Sequence, residues 1–216
     1  MTSEELCQAV KAGDADRVRD LVARDPALAA SRDATGISAV RLARYQHHDD
    51  VMAVLLAADP TLDVFDAAAV GDVQRLVELL DADPGQVNAL APDGFFPLAL
   101  AAYFGQPGAV RLLLERGADV HATAQNAMRV QALHAAVAGR SVDSVRLLLD
   151  GGADPNVRQH GGWTPLMGAA AHGDDEIVDL LLAHGADAAA ANDEGRTPAG
   201  LAAENGHRET AERLGG

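Results

Sequence analysis

The sequence has few of the features that commonly reveal a function. Only 3% of its 216 residues are aromatic, Cys7 is the only cysteine and Lys11 is the only lysine. A single cysteine excludes an intrachain disulfide. No stretch approaches the roughly 20 apolar residues that a membrane-spanning helix needs. The first residues lack the basic and apolar regions of a secretory signal, so the sequence predicts a cytoplasmic protein.

Familiar catalytic motifs are also missing. The chain has no Gly-x-Ser-x-Gly, no phosphate-binding Gly-Lys-Ser/Thr and no His-Glu-x-x-His. Adjacent histidines at 47 and 48 precede Asp49 and Asp50, but a helix presents metal ligands at a spacing of three or four. We therefore expect a solvated turn there, no metal, no cofactor and no enzymatic activity. We expect Cys7, which has apolar neighbours, to be a buried, unreactive thiol.

Negative charge dominates the composition. The net charge is −15 and the isoelectric point is near 4.7. Such a surface repels phosphate backbones and anionic membranes, so we expect no nucleic-acid and no membrane partner. It favours a protein partner that carries a basic patch. The cations are almost all arginine and alanine is abundant, which indicates a GC-rich genome and favours a bacterial source.

An internal repeat is the main feature that the sequence does contain. Gly-Trp-Thr-Pro-Leu at 162–166 recurs as Gly-Arg-Thr-Pro-Ala at 195–199, a step of 33 residues. Each of the first six units ends in a helix with apolar residues at i, i+3 and i+4. Units of this length cannot bury that apolar face alone, so they stack into a solenoid. The residues predicted to end the first helices are Gly13, His47, Gly71, Gly105, Arg140, Gly173 and Gly206.

Helix boundaries in the later units follow from local chemistry. Thr164 and Thr197 can cap a helix start, and the proline after each suits the first helical position. Glycines at 117, 152 and 185, each followed by Ala-Asp, can close the second helix in the left-handed conformation. Paired alanines in the first helices predict close approach of neighbouring units.

These motifs resemble those of ankyrin-repeat proteins. The family's Gly-x-Thr-Pro-Leu-His-x-Ala-Ala…Leu-Leu-x-x-Gly-Ala-Asp pattern is matched from about residue 90 to 216, including Leu133-His134. The resemblance implies an all-α fold, an ankyrin-repeat solenoid of about seven helix pairs with short β-hairpin loops. It implies that His134 bonds hairpin backbone. The chain then forms one domain, 1–216, with approximate repeats 2–30, 31–63, 64–89, 90–122, 123–157, 158–190 and 191–216.

Residues 1–89 depart from that pattern. The first three repeats end in Asp-Pro, and Ser38-Ala39-Val40-Arg41 stands where Thr-Pro-Leu-His is expected. A step of only 24 residues leaves no room for a hairpin before the third repeat. A further step of 58 residues, from Gly13-Asp14 to Gly71-Asp72, predicts that the N-terminal part repeats as a two-unit module. Two extra residues near 124–127 predict a longer loop in the fifth repeat.

The resemblance also implies where a partner binds. The family uses its concave surface, made of hairpin tips and the exposed sides of the first helices. Five of the seven aromatic residues fall on the corresponding variable positions, which predicts an aromatic, acidic-rimmed groove centred on repeats four to six. Alternatively, Phe95 and Phe104 only cover a neighbouring hairpin. The candidate residues are Tyr45, Gln46, Asp93, Phe95, Tyr103, Phe104, Met128, His160, Trp163, His172, Glu194, Arg196 and Glu204.

Three functions remain compatible with the sequence. The first is a non-enzymatic module that binds a partner protein on its concave face, with a monomer favoured. The second is a subunit that self-associates or caps an assembly through the same aromatic residues. The third is an inhibitor, antitoxin or host-directed effector that acts through that surface. The fold does not choose between them.

Overall fold

The structure is a computed structural model that describes residues 2–215. Within those residues it contains fourteen α-helices, two for each of seven repeats. The first helices of the repeats are α1 Ser3–Lys11, α3 Ala39–Tyr45, α5 Val64–Val70, α7 Pro97–Tyr103, α9 Ala132–Ala138, α11 Pro165–His172 and α13 Pro198–Glu204. The second helices are α2 Ala15–Arg24, α4 Asp49–Ala57, α6 Val73–Ala82, α8 Pro107–Glu115, α10 Val142–Asp150, α12 Asp175–Ala183 and α14 Arg208–Gly215.

The helices stack in two layers. Each first helix packs against the first helix of the next repeat, and most second helices do the same in their own layer. One apolar core of mainly Leu, Val and Ala side chains runs from Leu6 to Leu214. This arrangement confirms the predicted all-α repeat solenoid, in which no single pair buries its own apolar face.

The predicted helix boundaries are confirmed. The Thr164 hydroxyl accepts the Met167 N–H at 3.4 Å, Thr197 accepts the Gly200 N–H at 3.2 Å, and a proline opens each of these helices. All seven residues predicted to end a first helix have a positive φ, between 54° and 83°. His47 and Arg140 adopt this left-handed conformation although it is unfavourable for residues with a Cβ. The packing of the stacked repeats therefore outweighs the conformational energy at these two positions.

The loops between repeats form fewer strand contacts than predicted. In residues 2–215 no β-strand forms, and one isolated antiparallel bridge joins Arg32 and Ser38. Each loop is a short turn; in repeat four, for example, the Ala91 N–H donates to the Phe95 carbonyl at 2.9 Å. Neighbouring loops share single backbone bonds, which are too few to build a ladder. The prediction of β-hairpins is therefore wrong in this detail.

Both irregularities predicted in the loops are present. The closing bond spans four residues in repeats two, four, six and seven, but six in repeat five, where the Ala124 N–H donates to the Val130 carbonyl. This confirms the two-residue insertion. In repeat three no hairpin precedes the first helix: α4 ends at Ala57 and the Asp63 side chain already caps α5.

The two-unit period of the N-terminal part is also confirmed. Asp25 and Asp83 end α2 and α6 with nearly identical backbone angles, φ −146° and −147°. A 3₁₀ turn follows each of them, Pro26–Ala30 and Pro84–Asn88.

Cys7 lies in α1 and is buried, as predicted, and burial together with the charge of Asp33 raises the pKa of its thiol.

Candidate partner-binding groove

A groove of about 430 Å³ lies on the side of the solenoid formed by the first helices and the loops. We call it the aromatic groove. Its residues come from repeats two, four, five and six, and most of its lining is apolar. Its large side chains are Tyr45, Phe95, Tyr103, Met128 and Trp163.

Small side chains between these residues keep the groove open. Ala99, Ala135, Ala138 and Gly168 line it from three consecutive first helices. The C-terminal ends of α7 and α9 also approach closely, since a Cβ placed on Gly139 would clash with the Tyr103 carbonyl oxygen. The alanine pairs in the sequence predicted such close approach, but not which small residues would face the groove.

Several large apolar side chains in the groove remain accessible. Tyr103 is 36% exposed and Met128 is 56% exposed, while Phe95 and Trp163 are half-buried. Accessible aromatic and methionine side chains that share one depression are typical of protein interaction surfaces. The groove therefore offers apolar contact area that the chain itself leaves uncovered.

The N-terminal end of the groove is formed by Tyr45. Its hydroxyl donates a hydrogen bond to Asp93 Oδ2 at 2.9 Å, and its ring lies 5.3 Å from that of Phe104. Burial, followed by the negative charge of Asp93, raises the pKa of Tyr45 well above its usual range. Tyr45 thus stays protonated and is held by repeat four.

Two of the predicted contact residues are mostly covered by the chain itself. Phe104 is only 8% exposed and packs with Ala69 and Leu100, so it covers α5 of repeat three rather than a neighbouring hairpin. The Arg44 guanidinium lies over its ring at 5.2 Å. Because repeat three has no loop, Phe104 and its neighbours fill the space in front of α5.

Asp93 is the second predicted contact residue that is mostly covered. Its side chain is 13% exposed, and its carboxylate already accepts from Tyr45 and lies 3.5 Å from Arg41. It is therefore not free to attract a basic group on a partner. The sequence could not reveal this, since Arg41 and Asp93 are 52 residues apart.

The C-terminal end of the groove carries an exposed charged cluster. The Arg196 guanidinium lies 5.6 Å from the centre of the Trp163 ring, 2.5 Å from Glu194 and 3.6 Å from Glu204. His172 lines the groove beside it and is exposed. Two carboxylates thus share one cation, which leaves this end with excess negative charge.

The remaining predicted residues lie outside the groove. Gln46 follows Tyr45 and is exposed, and His160 is exposed in the loop of repeat six. The His160 backbone N–H donates to the Met128 carbonyl at 3.2 Å, so this residue joins two loops through its backbone.

His134 has the structural role that was predicted for it. It is 6% exposed, and the Gln131 N–H donates to its Nδ1 at 3.4 Å, which leaves the Nε2 proton for the Trp163 carbonyl at 3.3 Å. Burial lowers the pKa of His134 to about 4. The neutral ring ties α9 to the next loop and so helps to fix the position of Trp163.

Metal-binding and membrane-spanning features were also sought in residues 2–215. Between residues 2 and 215, no three His, Cys, Asp or Glu side chains are grouped as ligands for a metal ion. Over the same residues, no helix combines the length and the apolar character needed to cross a bilayer.

Comparison with known proteins gives a family for the fold. The family model described as "Ankyrin repeats (3 copies)" matches residues 64–159 and 143–215, most of the chain, and leaves repeats one and two outside. Ankyrin repeats generally mediate protein–protein interactions, and the family is generally non-enzymatic.

Individual relatives match over part of their length. Ankyrin repeat and SAM domain-containing protein 6 of Rattus norvegicus is 37% identical over 102 residues, 47% of this chain and 11% of that protein. Ankyrin repeat, SAM and basic leucine zipper domain-containing protein 1 of Callithrix jacchus is 36% identical over 116 residues, 52% of this chain and 24% of that protein. Neurogenic locus notch homolog protein 1 of Homo sapiens is 29% identical over 159 residues, 69% of this chain and 6% of that protein.

The chain spans a quarter or less of the length of these relatives. All three come from vertebrates, so they do not support the bacterial source that the composition favoured. The family itself rests on the match over residues 64–215 and on the seven stacked helix pairs. This chain belongs to the ankyrin-repeat family.

Proposed function

We propose that this chain is a non-enzymatic module that binds a partner protein through the aromatic groove. The observation that carries the proposal is the grouping of Tyr103, Met128 and Trp163, with exposed or half-buried side chains, around one apolar depression. Tyrosine and tryptophan are preferred anchors of interfaces because they bury a large area with few rotatable bonds. We further infer that the seven repeats act as one domain, because a single core connects them.

The buried titratable groups of the groove are held in structural contacts. The titratable side chains among its lining residues are Tyr45, Tyr103, His134 and His172. His134 is engaged with the Gln131 and Trp163 backbone, and Tyr45 is bonded to Asp93. General acid–base catalysis needs a group that can exchange its proton near the working pH and reach a substrate. Neither buried group meets that requirement.

We propose a partner that inserts apolar side chains and carries arginine or lysine beside them. The net charge of −15 favours approach of a basic surface, and Glu194 and Glu204 are exposed at the end of the groove. The same charge disfavours a second copy of this chain, which supports a monomer. Whether binding inhibits, scaffolds or regulates depends on the partner. The cytoplasmic location stays a prediction from the sequence.

Affinity capture with paired variants tests the groove. Tyr103→Ala/Trp163→Ala removes two large side chains from the groove. Val73→Ala/Leu90→Ala truncates two exposed apolar side chains elsewhere, because Val73 and Leu90 are 38% and 42% exposed and do not line the groove. We expect the first variant to lose a partner that the wild type and the second variant both retain. Equal capture by both variants would refute the site.

Light scattering separates this function from self-association. The chain has a mass of 22.3 kDa, and we expect a monomer of that mass at micromolar concentration. A dimer that the Tyr103→Ala/Trp163→Ala change dissociates would favour a self-associating subunit instead.

A further inference from the structure

The junction between repeats two and four differs from the later junctions. From repeat four onward, consecutive loops share a backbone hydrogen bond; for example, the Gln125 N–H donates to the Gly94 carbonyl at 2.8 Å. Repeat three has no loop to offer such a bond. The loop of repeat two instead meets that of repeat four directly, and a Cβ on Gly36 would lie 3.1 Å from Pro92 Cγ.

A buried ion cluster occupies this junction. Arg41 is the third residue of α3, the place that His134 holds in α9. His134 bonds to the backbone of the loop in the next repeat. The repeat after Arg41 has no loop, and Arg41 contacts two carboxylates instead. Its Nε lies 3.2 Å from Asp66 Oδ1, and its Nη1 lies 3.5 Å from Asp93 Oδ2. Arg41 is fully buried, so its charge needs these counterions.

The cluster continues to the wall of the aromatic groove. Asp93 Oδ2, which faces Arg41, also accepts the hydrogen bond of the Tyr45 hydroxyl. Arg44, one residue before Tyr45, donates to the Phe104 carbonyl at 3.0 Å. Arg44 and Tyr45 of α3 thus bond directly to repeat four, past the intervening α5, and these bonds hold Tyr45 in place.

We propose that Arg41 is a positioning residue for the aromatic groove: by neutralising Asp66 and Asp93 it holds Tyr45 as the closed N-terminal end. This inference rests on the proposed binding function for its purpose, but not for its geometry. A partner segment is then bounded at Tyr45 and lies over repeats four to six. Gln46, on the far side of Tyr45, stays outside the contact.

The physical basis is the cost of unpaired buried charge. Without Arg41, two carboxylates at 3% and 13% exposure would lose the cation that contacts both of them. Arg32 is 3.8 Å from Asp66 at the edge of the cluster and 2.8 Å from Asp63, so it cannot replace Arg41 at Asp93. Asp93 would move toward solvent, and Tyr45 would lose its acceptor.

Fluorine NMR can read this geometry directly. The chain has only two tyrosines, Tyr45 and Tyr103, and both line the groove. Labelling with 3-fluorotyrosine gives one resonance from a half-buried ring and one from an exposed ring. A soluble gadolinium chelate broadens each resonance in proportion to its accessibility. In the wild type we expect strong broadening of Tyr103 and weak broadening of Tyr45.

The variants then isolate the role of Arg41. We expect Arg41→Met to increase the broadening of Tyr45 several-fold while Tyr103 changes little, and Arg41→Lys to restore most of the protection. Arg75→Met is the matched control, because Arg75 binds the Leu62 carbonyl in the same region without reaching the groove. Unchanged broadening of Tyr45 in folded Arg41→Met would overturn the proposal. An equal increase in the broadening of Tyr45 in Arg75→Met would also overturn it, because the effect would then not be specific to Arg41.

A second variant covers the case in which Arg41→Met does not fold. Asp93→Ala keeps the Arg41–Asp66 pair and removes the acceptor oxygen that links Arg41 to Tyr45. We expect the same release of Tyr45, and full protection in this variant would overturn the proposal. The measurement needs no partner, so its failure leaves the proposed function standing. Failure of the capture experiment likewise leaves this geometry standing.

Discussion

Repeats two and three hold to their neighbours differently from repeats four to seven. In the later repeats, loops bond to loops through the backbone, and His134 adds a bond to the Trp163 carbonyl. In the earlier ones, Arg41 and Asp66, each the third residue of its first helix, form a buried ion pair. The comparison teaches that a solenoid can omit a loop when these side chains supply the missing contacts.

The two solutions differ in their sensitivity to substitution. A backbone hydrogen bond survives most side-chain changes, whereas a buried ion pair fails when one partner is removed. Breaking such a pair leaves an uncompensated buried charge, which costs more than the pair contributes. The stability of the N-terminal repeats should therefore be concentrated in fewer side chains than the stability of the C-terminal repeats.

Removing the buried cation should have the largest effect. We expect Arg41→Met to lower the free energy of unfolding by about 3–5 kcal/mol, because Asp66 and Asp93 lose their counterion. Urea denaturation followed by circular dichroism measures this. Adding Asp66→Asn to Arg41→Met should recover part of the loss. A loss below about 1 kcal/mol in the single variant would remove the distinction between the two regions.

Changes of pH should act on the two regions with opposite sign. Burial lowers the pKa of His134 to about 4, so its contribution to stability is present above its unfolded pKa and is lost as pH falls toward 4. Burial, followed by the charge of Asp63, raises the pKa of Asp66 to about 6. Its contribution is fully present below its unfolded pKa and is lost as pH rises through 6.

Paired variants measure this difference at pH 7.5 and 4.5. On acidification, wild type should lose stability relative to His134→Gln and gain stability relative to Asp66→Asn. Changes of the same sign in both comparisons would contradict the assignment.

An exposed ion cluster should have the smallest effect. Arg196 resembles Arg41 in contacting two carboxylates, but its side chain is 34% exposed and its partners are more so. We expect Arg196→Gln to change stability by less than about 1 kcal/mol. The emission of Trp163, the only tryptophan, should shift because the guanidinium leaves its ring. A stability loss as large as that of Arg41→Met would show that burial does not decide the cost.

Much of the fold could be predicted because it is encoded locally. Threonine caps, the proline after each cap and the regular step of the repeat indicated the helix boundaries, and the insertion at 124–127 and the missing loop followed from counting residues. Periodicity does not specify how residues on opposite sides of an omitted loop meet. The Arg41–Asp93 contact and the burial of Phe104 therefore lay beyond it.

The groove shows the same limit. Four of the aromatic residues at variable positions, Tyr45, Phe95, Tyr103 and Trp163, line the groove, but their role in binding stays a prediction. Its depth depends on small residues from three stacked helices, and their joint orientation is a property of the packing rather than of any single motif.

A double-mutant cycle between Arg41 and Asp93 tests most directly whether a buried ion contact replaces the missing loop. Unfolding free energies of wild type, Arg41→Met, Asp93→Asn and the double variant give the coupling between two residues 52 positions apart. The structure predicts a favourable coupling of about 1–3 kcal/mol. Additivity within about 0.5 kcal/mol would show that the two residues act independently and would contradict the account.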